Sequence, residues 1–137
     1  MTSAVTGAEA FPRVPVSWGE LVDKKTILEI KVERLRDPQA VANARRELAP
    51  LAAALAALAP PPAALAGLEA ALREVNRRLW DIEDAIRQKE AARAFDGAFI
   101  ELARSVYRSN DERARIKREI NLLLRSGIVE EKQYARY

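Results

Sequence analysis

Apolar residues recur along much of the chain at alternating intervals of three and four, the spacing that places side chains on one face of a helix. The longest such run lies between residues 63 and 94. Its seven apolar positions follow the pattern without a miss: Leu65, Leu68, Leu72, Val75, Leu79, Ile82 and Ile86. Sustained over about three heptads, this pattern predicts a coiled-coil-like helix roughly 45 Å long.

Two shorter helices are predicted upstream of this run. The segment Ser17–Glu20 fits a capping box, in which the serine hydroxyl accepts from the backbone N–H three residues on and the glutamate reaches back. The first helix should therefore begin at Ser17 and end near Asp37-Pro38, which in turn fits the start of a second helix. Pro50 should kink or restart the second helix, and Pro60–Pro62 should end it.

A fourth helix is predicted over about 98–125. Asp96 is placed as its N-cap in the turn Asp96-Gly97, and Gly127 is placed to close it. Two long helices joined by a short turn must be antiparallel neighbours. Because no stretch alternates with a period of two, the predicted fold class is all-α: an antiparallel helical hairpin or bundle of about four helices around a long coiled-coil-like central helix.

The pattern also indicates how the 137 residues divide. Residues 1–16 are small, polar and interrupted by proline, which is typical of a flexible N-terminal arm. Residues 17–137 are predicted to form a single helical-bundle domain, with an Ala/Pro-rich connection around 49–64. The stretch 128–137 carries aliphatic and tyrosine side chains, and we expect it to dock onto the bundle or onto a partner.

The first helix is apolar on two opposite sides, with one set of positions around Trp18 and Leu28 and another around Val22 and Ile30. A helix of this kind is normally sandwiched between other elements or between subunits. We therefore predict self-association or binding to a partner helix. The candidate interface residues are Val22, Ile27, Ile30 and, beside the long apolar run, Trp80.

The apolar stripe of the fourth helix is interrupted in its middle by Asn110, Arg113, Lys117 and Asn121, with Tyr107 beside them. Burying the two cations unpaired would cost several kcal/mol each. They therefore need carboxylate partners, a water-filled cavity or an anionic ligand.

Three interpretations of this break stay open. It can be an internal polar layer that fixes helix register, a set of long side chains that reach solvent at the bundle edge, or a site for an anionic small molecule. Glu83 and Asn76 of the long helix are possible partners. The candidate ligand-binding residues are Tyr107, Asn110, Arg113, Lys117, Glu83 and Asn76.

Composition removes several kinds of chemistry. The chain has no cysteine and no histidine, which excludes disulfides, thiolate nucleophiles, Ser/Cys-His arrangements and nearly all zinc, copper and haem ligation. We predict no metal and no cofactor, and we favour a non-enzymatic role. A cysteine-free chain also suits the reducing cytoplasm, which is the predicted location.

Charge and hydropathy argue against two classes of partner. The 23 basic residues are interspersed with 20 acidic ones, whereas a nucleic-acid binder usually concentrates its surplus on one face. The most apolar stretch, residues 49–72, is split by prolines and dominated by alanine, so a membrane span is not expected.

Three segments stand out as motifs: VSWGELVDKKTILEIK (16–31), VNRRLWDIEDAIR (75–87) and ELARSVYRSNDERARIKREIN (101–121). Together they resemble a family of small, functionally uncharacterised bacterial proteins that are all-helical. The resemblance implies a bacterial, single-domain protein and transfers no functional residue. From the residues themselves, the leading hypothesis is a non-enzymatic helical interaction or adaptor protein that self-associates. The alternative is a module or enzyme that binds an anionic small molecule between helices.

Overall fold

The computed structural model describes residues 10–137, and the all-α prediction is confirmed. Within this range there are four helices and no strand. Residues 1–9 of the expected arm lie outside the described residues, and residues 12–17 have no regular secondary structure. The helices are α1 (Trp18–Arg34), α2 (Pro38–Ala56), α3 (Ala63–Ala91) and α4 (Gly97–Leu123).

Helices α1 and α2 begin where their capping residues predicted. The Ser17 hydroxyl accepts from the backbone N–H of Glu20 at 3.0 Å, and the Asp37 carboxylate accepts from two N–H groups of the first turn of α2. Only half of the expected capping box forms, because the Glu20 carboxylate accepts from Lys117 instead. Helix α2 continues through an exposed Pro50, so the proline does not restart it.

Helices α3 and α4 form the predicted antiparallel hairpin. The carboxylate of Asp96 caps α4 by accepting from the N–H of Phe99 at 3.0 Å. Arg78 pairs with Glu112 at 2.9 Å, and closer to the turn Lys89 pairs with Asp96 at 3.0 Å. Five positions of the apolar run on α3 are buried: Leu65, Leu72, Val75, Leu79 and Ile82.

Both long helices end on an arginine in the left-handed region. The φ angles are 50° at Arg93, after α3, and 52° at Arg125, after α4. The prediction that Gly127 closes α4 is therefore wrong, because the residue that reverses the chain is Arg125. An arginine in this conformation costs about 1 kcal/mol more than a glycine would.

Helix α1 is the central element, since it packs against all three other helices. Helix α2 lies along α1 only, although its Leu55 side chain reaches the apolar core. The two apolar sides of α1 are thus covered within the chain. None of the helices in the described range combines the length and the apolar character that crossing a bilayer requires.

Helix α1 runs parallel to α3 and ends well before it. Lys25 of α1 pairs with Glu69 of α3 at 2.6 Å, and the last residue of α1, Arg34, pairs with Asp81 at 2.6 Å. The hairpin therefore extends beyond α1 by about ten residues of α3 and a similar length of α4. We call this part, residues 82–106, the hairpin tip.

The hairpin tip continues the apolar pattern, but none of the helices that the structure describes packs over it. Ile82 is its only buried residue. The inward-facing side chains farther along are half-buried: Ile86, Phe99, Leu102 and Val106. Phe95 in the turn and Ile100 in the first turn of α4 are 54% and 56% exposed.

Candidate functional site

A polar layer lies where α1 crosses α3 and α4. The Asn76 side-chain amide donates to the Asp23 carboxylate at 2.8 Å and to the Thr26 hydroxyl at 2.9 Å. The Thr26 hydroxyl in turn donates to the backbone carbonyl of Asp23 at 2.8 Å. All three residues are buried, and Arg113 of α4 donates to the Asn76 carbonyl oxygen at 3.5 Å.

Lys117 is the charged centre of this layer. Its side chain is 10% exposed, and its Nζ lies 2.6 Å from a Glu20 oxygen, 3.3 Å from one of Glu130 and 3.6 Å from one of Asp23. Burial lowers the pKa of Lys117, but the hydrogen bond to Glu20 and the charges of the three carboxylates outweigh it, so the pKa is raised. Lys117 is therefore charged and fully partnered by its own chain at neutral pH.

The N-terminus of α1 is also satisfied internally. The N–H of Gly19 donates to the Asn121 side-chain oxygen at 2.6 Å, and the N–H of Trp18 donates to the Ser126 hydroxyl at 3.1 Å. A Cβ at Gly19 would lie 2.4 Å from the backbone oxygen of Lys117. Glycine is therefore required at position 19 for α1 and α4 to approach this closely.

The layer matches the first of the three interpretations that the sequence left open. In the described part of the chain, no buried side-chain nitrogen or oxygen lacks a hydrogen-bond partner. A satisfied layer of this kind holds helices in one register and one orientation. Nothing in its geometry calls for an added anion.

The structure separates the candidate ligand residues into three places. Asn76 and Lys117 belong to the polar layer. Glu83 lies away from it on the exposed side of α3, where it accepts from Arg87 at 3.4 Å. The other three, Tyr107, Asn110 and Arg113, line a groove between α4 and residues 132–137, and Arg113 also reaches Asn76 of the layer.

The candidate interface residues are placed differently from one another. Val22 and Ile30 are buried against the chain's own helices, with 0% and 1% exposure. Ile27 is half-buried. Trp80 is half-buried as well, and the guanidinium of Arg34 lies over its ring at 5.9 Å from the centroid. Val22 and Ile30 therefore offer no surface to a second chain.

The groove forms because the stretch 128–137 folds back along α4. Glu130 pairs with Lys117, and Glu131 pairs with Arg118 at 3.3 Å. Farther along, the Tyr137 hydroxyl donates to Asp111. Of the two alternatives that we expected for this stretch, docking onto the bundle is the one observed, and it leaves an open groove of about 1060 Å³ between the stretch and α4.

Sequence reasoning missed Asp23, Thr26 and Glu130. Thr26 lies on the same side of α1 as Val22 and Ile30, and Asp23 lies directly beside that side, so a polar pair three residues apart was the available signal. Glu130 follows α4 in a stretch without periodicity, and nothing local indicated its contact with Lys117.

A comparison with protein families identifies the chain's relatives. The family described as "Family of unknown function (DUF6165)" matches residues 12–137. The chain belongs to this family. The match includes the polar layer, the hairpin tip and the groove, but DUF6165 carries no assigned function and so assigns no role to their residues. Neither the curated proteins nor the solved structures gave a significant match.

DUF6165 membership confirms the part of the sequence resemblance that pointed to an uncharacterised family. The bacterial origin that the resemblance also implied stays a prediction.

Proposed function

We propose that this protein is a non-enzymatic helical interaction protein, and that it associates with a second copy of itself through the hairpin tip. The observation that carries the proposal is the apolar stripe of α3 and α4, which continues past the end of α1 where no other helix of residues 10–137 covers it. Half-buried aliphatic and aromatic side chains in such a stripe become fully buried when another helix packs on them.

A second copy fits this surface in shape. Two antiparallel hairpins that meet about a two-fold axis form a four-helix bundle, in which each hairpin supplies the same face. The stripe on the tip has the three-and-four spacing that such bundles use, and Phe95 and Phe99 extend it into the turn with ring centroids 5.2 Å apart.

The charge of the hairpin tip is also compatible with a second copy of the chain as the partner. The hairpin tip contains five acidic and four basic residues, which leaves a net charge of −1. Two copies would therefore bring almost no charge repulsion with them, and the mixed signs allow pairing across the contact. A strongly charged partner would find little to recognise here.

The internal polar layer supports the alternative function less well. An anionic ligand there would have to displace Glu20, Asp23 or Glu130 from Lys117, and each displaced carboxylate would lose a favourable interaction. Removing one member of a buried charged group is costly. The groove, which has no such network to displace from Arg113, is therefore the better place for a small molecule than the layer.

The test is the oligomeric state of the protein and of two variants. We expect the wild type to be a dimer by sedimentation at about 10 µM, the range typical of small apolar interfaces. The double variant Phe95→Ser/Ile100→Glu should raise the dissociation constant at least about tenfold, because it replaces two exposed apolar side chains of the tip with polar groups.

The matched control is Leu122→Glu. Leu122 lies on the same helix as Ile100 and is 62% exposed, but it is outside the hairpin tip. This variant should dimerise like the wild type. A wild type that stays monomeric at about 100 µM, or a control that dissociates as much as the double variant, would overturn the proposal.

A further inference from the structure

The groove between α4 and the stretch 132–137 has the size and lining of a small-molecule site, and it lies outside the contact proposed for the hairpin tip. Its volume of about 1060 Å³ is at the upper end of what ligand pockets in proteins offer. One wall is α4, and the other is the end of the stretch 128–137, which is tied to α4 by Glu130 on Lys117 and by Tyr137 on Asp111.

Positive charge dominates the lining. Arg113, Lys132 and Arg136 line the groove, while its only carboxylate, Asp111, accepts from the Tyr137 hydroxyl. Three cations and one anion give the lining a net charge of +2 in a concave surface, although Lys132 also pairs at 3.6 Å with Glu130, which is outside the lining. Such a surface attracts small anions more strongly than the same charges would on a convex one.

Arg113 is the most informative of these residues. It is half-buried, yet within the described part of the chain no carboxylate lies within 4 Å of it. Its one hydrogen bond, to the Asn76 carbonyl oxygen, is long at 3.5 Å. A guanidinium has five N–H donors in a planar fork that matches a phosphate, so most of this capacity is available toward the groove.

Aromatic rings supply the rest of the lining. Tyr107, Tyr134 and Tyr137 all line the groove, and the last two are 73% and 77% exposed. The rings of Tyr107 and Tyr137 already meet edge to face, with centroids 4.8 Å apart. Exposed tyrosine faces beside cations provide stacking surfaces for a flat ring that is attached to a negatively charged group.

From these observations we infer that the groove binds a nucleoside phosphate, with the phosphate on Arg113 and the base against the tyrosine rings. The Asn110 side chain, which also lines the groove, can donate to and accept from the edge of a base. A sugar phosphate would pair with Arg113 but would not stack on the tyrosine rings. A nucleoside would stack on the rings but would bring no phosphate to Arg113. The combination of both features is what favours a nucleotide.

The experiment measures binding of ADP to the full chain by calorimetry, with adenosine and inorganic phosphate titrated separately. We expect ADP to bind at least about tenfold more tightly than either fragment. Absence of ADP binding at about 1 mM, or phosphate binding as tightly as ADP, would overturn the inference.

Variants then separate the two halves of the site. Arg113→Gln should weaken ADP binding at least about tenfold, whereas Arg115→Gln should not, because Arg115 lies on the same helix but pairs with Glu119 at 2.9 Å and does not line the groove. Tyr134→Ala should weaken binding about tenfold, and Tyr134→Phe, which keeps the ring, should restore it. Equal losses in Arg113→Gln and Arg115→Gln, or in the two Tyr134 variants, would contradict the proposed contacts.

Discussion

The two halves of the α3–α4 hairpin have the same sequence pattern and different surroundings. In the half that α1 covers, the apolar positions are buried and every buried polar side chain has a partner. In the hairpin tip the same spacing continues, but its side chains are only half-buried. Helical periodicity therefore defines which face of the hairpin is apolar, while the length of α1 decides how much of that face the chain can bury.

The largest effect in the covered half should come from Lys117→Met. The change leaves Asp23, whose side chain is 7% exposed, as a buried carboxylate without its cation. We expect a loss of about 3–5 kcal/mol in the free energy of unfolding, measured by denaturant titration. The double variant Asp23→Asn/Lys117→Met should lose less than Lys117→Met alone, because it removes both charges. Additive losses would show that the two charges are not coupled.

Leu72→Ala and Ile86→Ala compare the two halves directly. The two residues are fourteen positions apart and so occupy the same place in the heptad, but Leu72 is 0% exposed and Ile86 is half-buried. Leu72→Ala should cost about 2–5 kcal/mol of folding stability. Ile86→Ala should cost about 1 kcal/mol when measured below the dissociation constant of the dimer. Similar losses at both positions would mean that the tip is covered even in the monomer.

Gly19→Ala should destabilise the covered half by about 1–3 kcal/mol, because the added Cβ forces α1 away from α4. The control is Gly67→Ala on α3, where a Cβ has no neighbour within 4 Å. That change should stabilise the protein by about 0.5–1 kcal/mol, since alanine is the better helix former. Thermal melts that show the same direction for both variants would contradict the close approach at Gly19.

The smallest effect expected is that of acid on the contact between Glu130 and Lys117. Burial raises the pKa of Glu130, but the charge of Lys117 outweighs it, so the folded pKa lies below the ordinary value. The contact therefore adds stability above the ordinary glutamate pKa and loses it as the pH falls through the lowered one. Because the Glu130 side chain is 45% exposed, the contribution should be under about 1 kcal/mol.

Denaturant titrations between about pH 6 and pH 3 can measure this effect. Glu130→Gln should be less stable than the wild type at the upper end of the range, and the difference should vanish at the lower end. A difference that does not change with pH would mean that the interaction is not electrostatic.

Much of the fold could be predicted because its signals are local. Ser17, Asp37 and Asp96 mark helix starts through a hydrogen bond to a residue two or three positions on, and the pattern on α3 needs no tertiary information. The C-terminal ends of the helices were harder to predict. The left-handed conformation falls on Arg93 and Arg125, which carry no preference for it, and tertiary packing of the two long helices sets the position of the reversal.

The sequence was sufficient to predict the central residues of the candidate site, but not all of its members. Lys117 and Asn76 were identified because a polar residue on an apolar face needs a partner, and that argument uses only one helix. Glu83 was included because helical projection shows only which side of α3 a residue lies on. It does not show where along α3 the neighbouring helix α1 ends. Glu130 and the groove depend on how a non-helical segment folds back, for which the chain has no periodic signal.

The bonds that fix the start of α1 have a consequence for synthesis of the protein. Trp18 and Gly19 donate to side chains 108 and 102 residues farther along the chain. At about 5–20 residues per second, a ribosome would complete those acceptors several seconds or more after α1 has been made. We therefore expect α1 to emerge as an amphipathic segment with an incomplete N-terminal cap, and to take its final place only when α4 arrives.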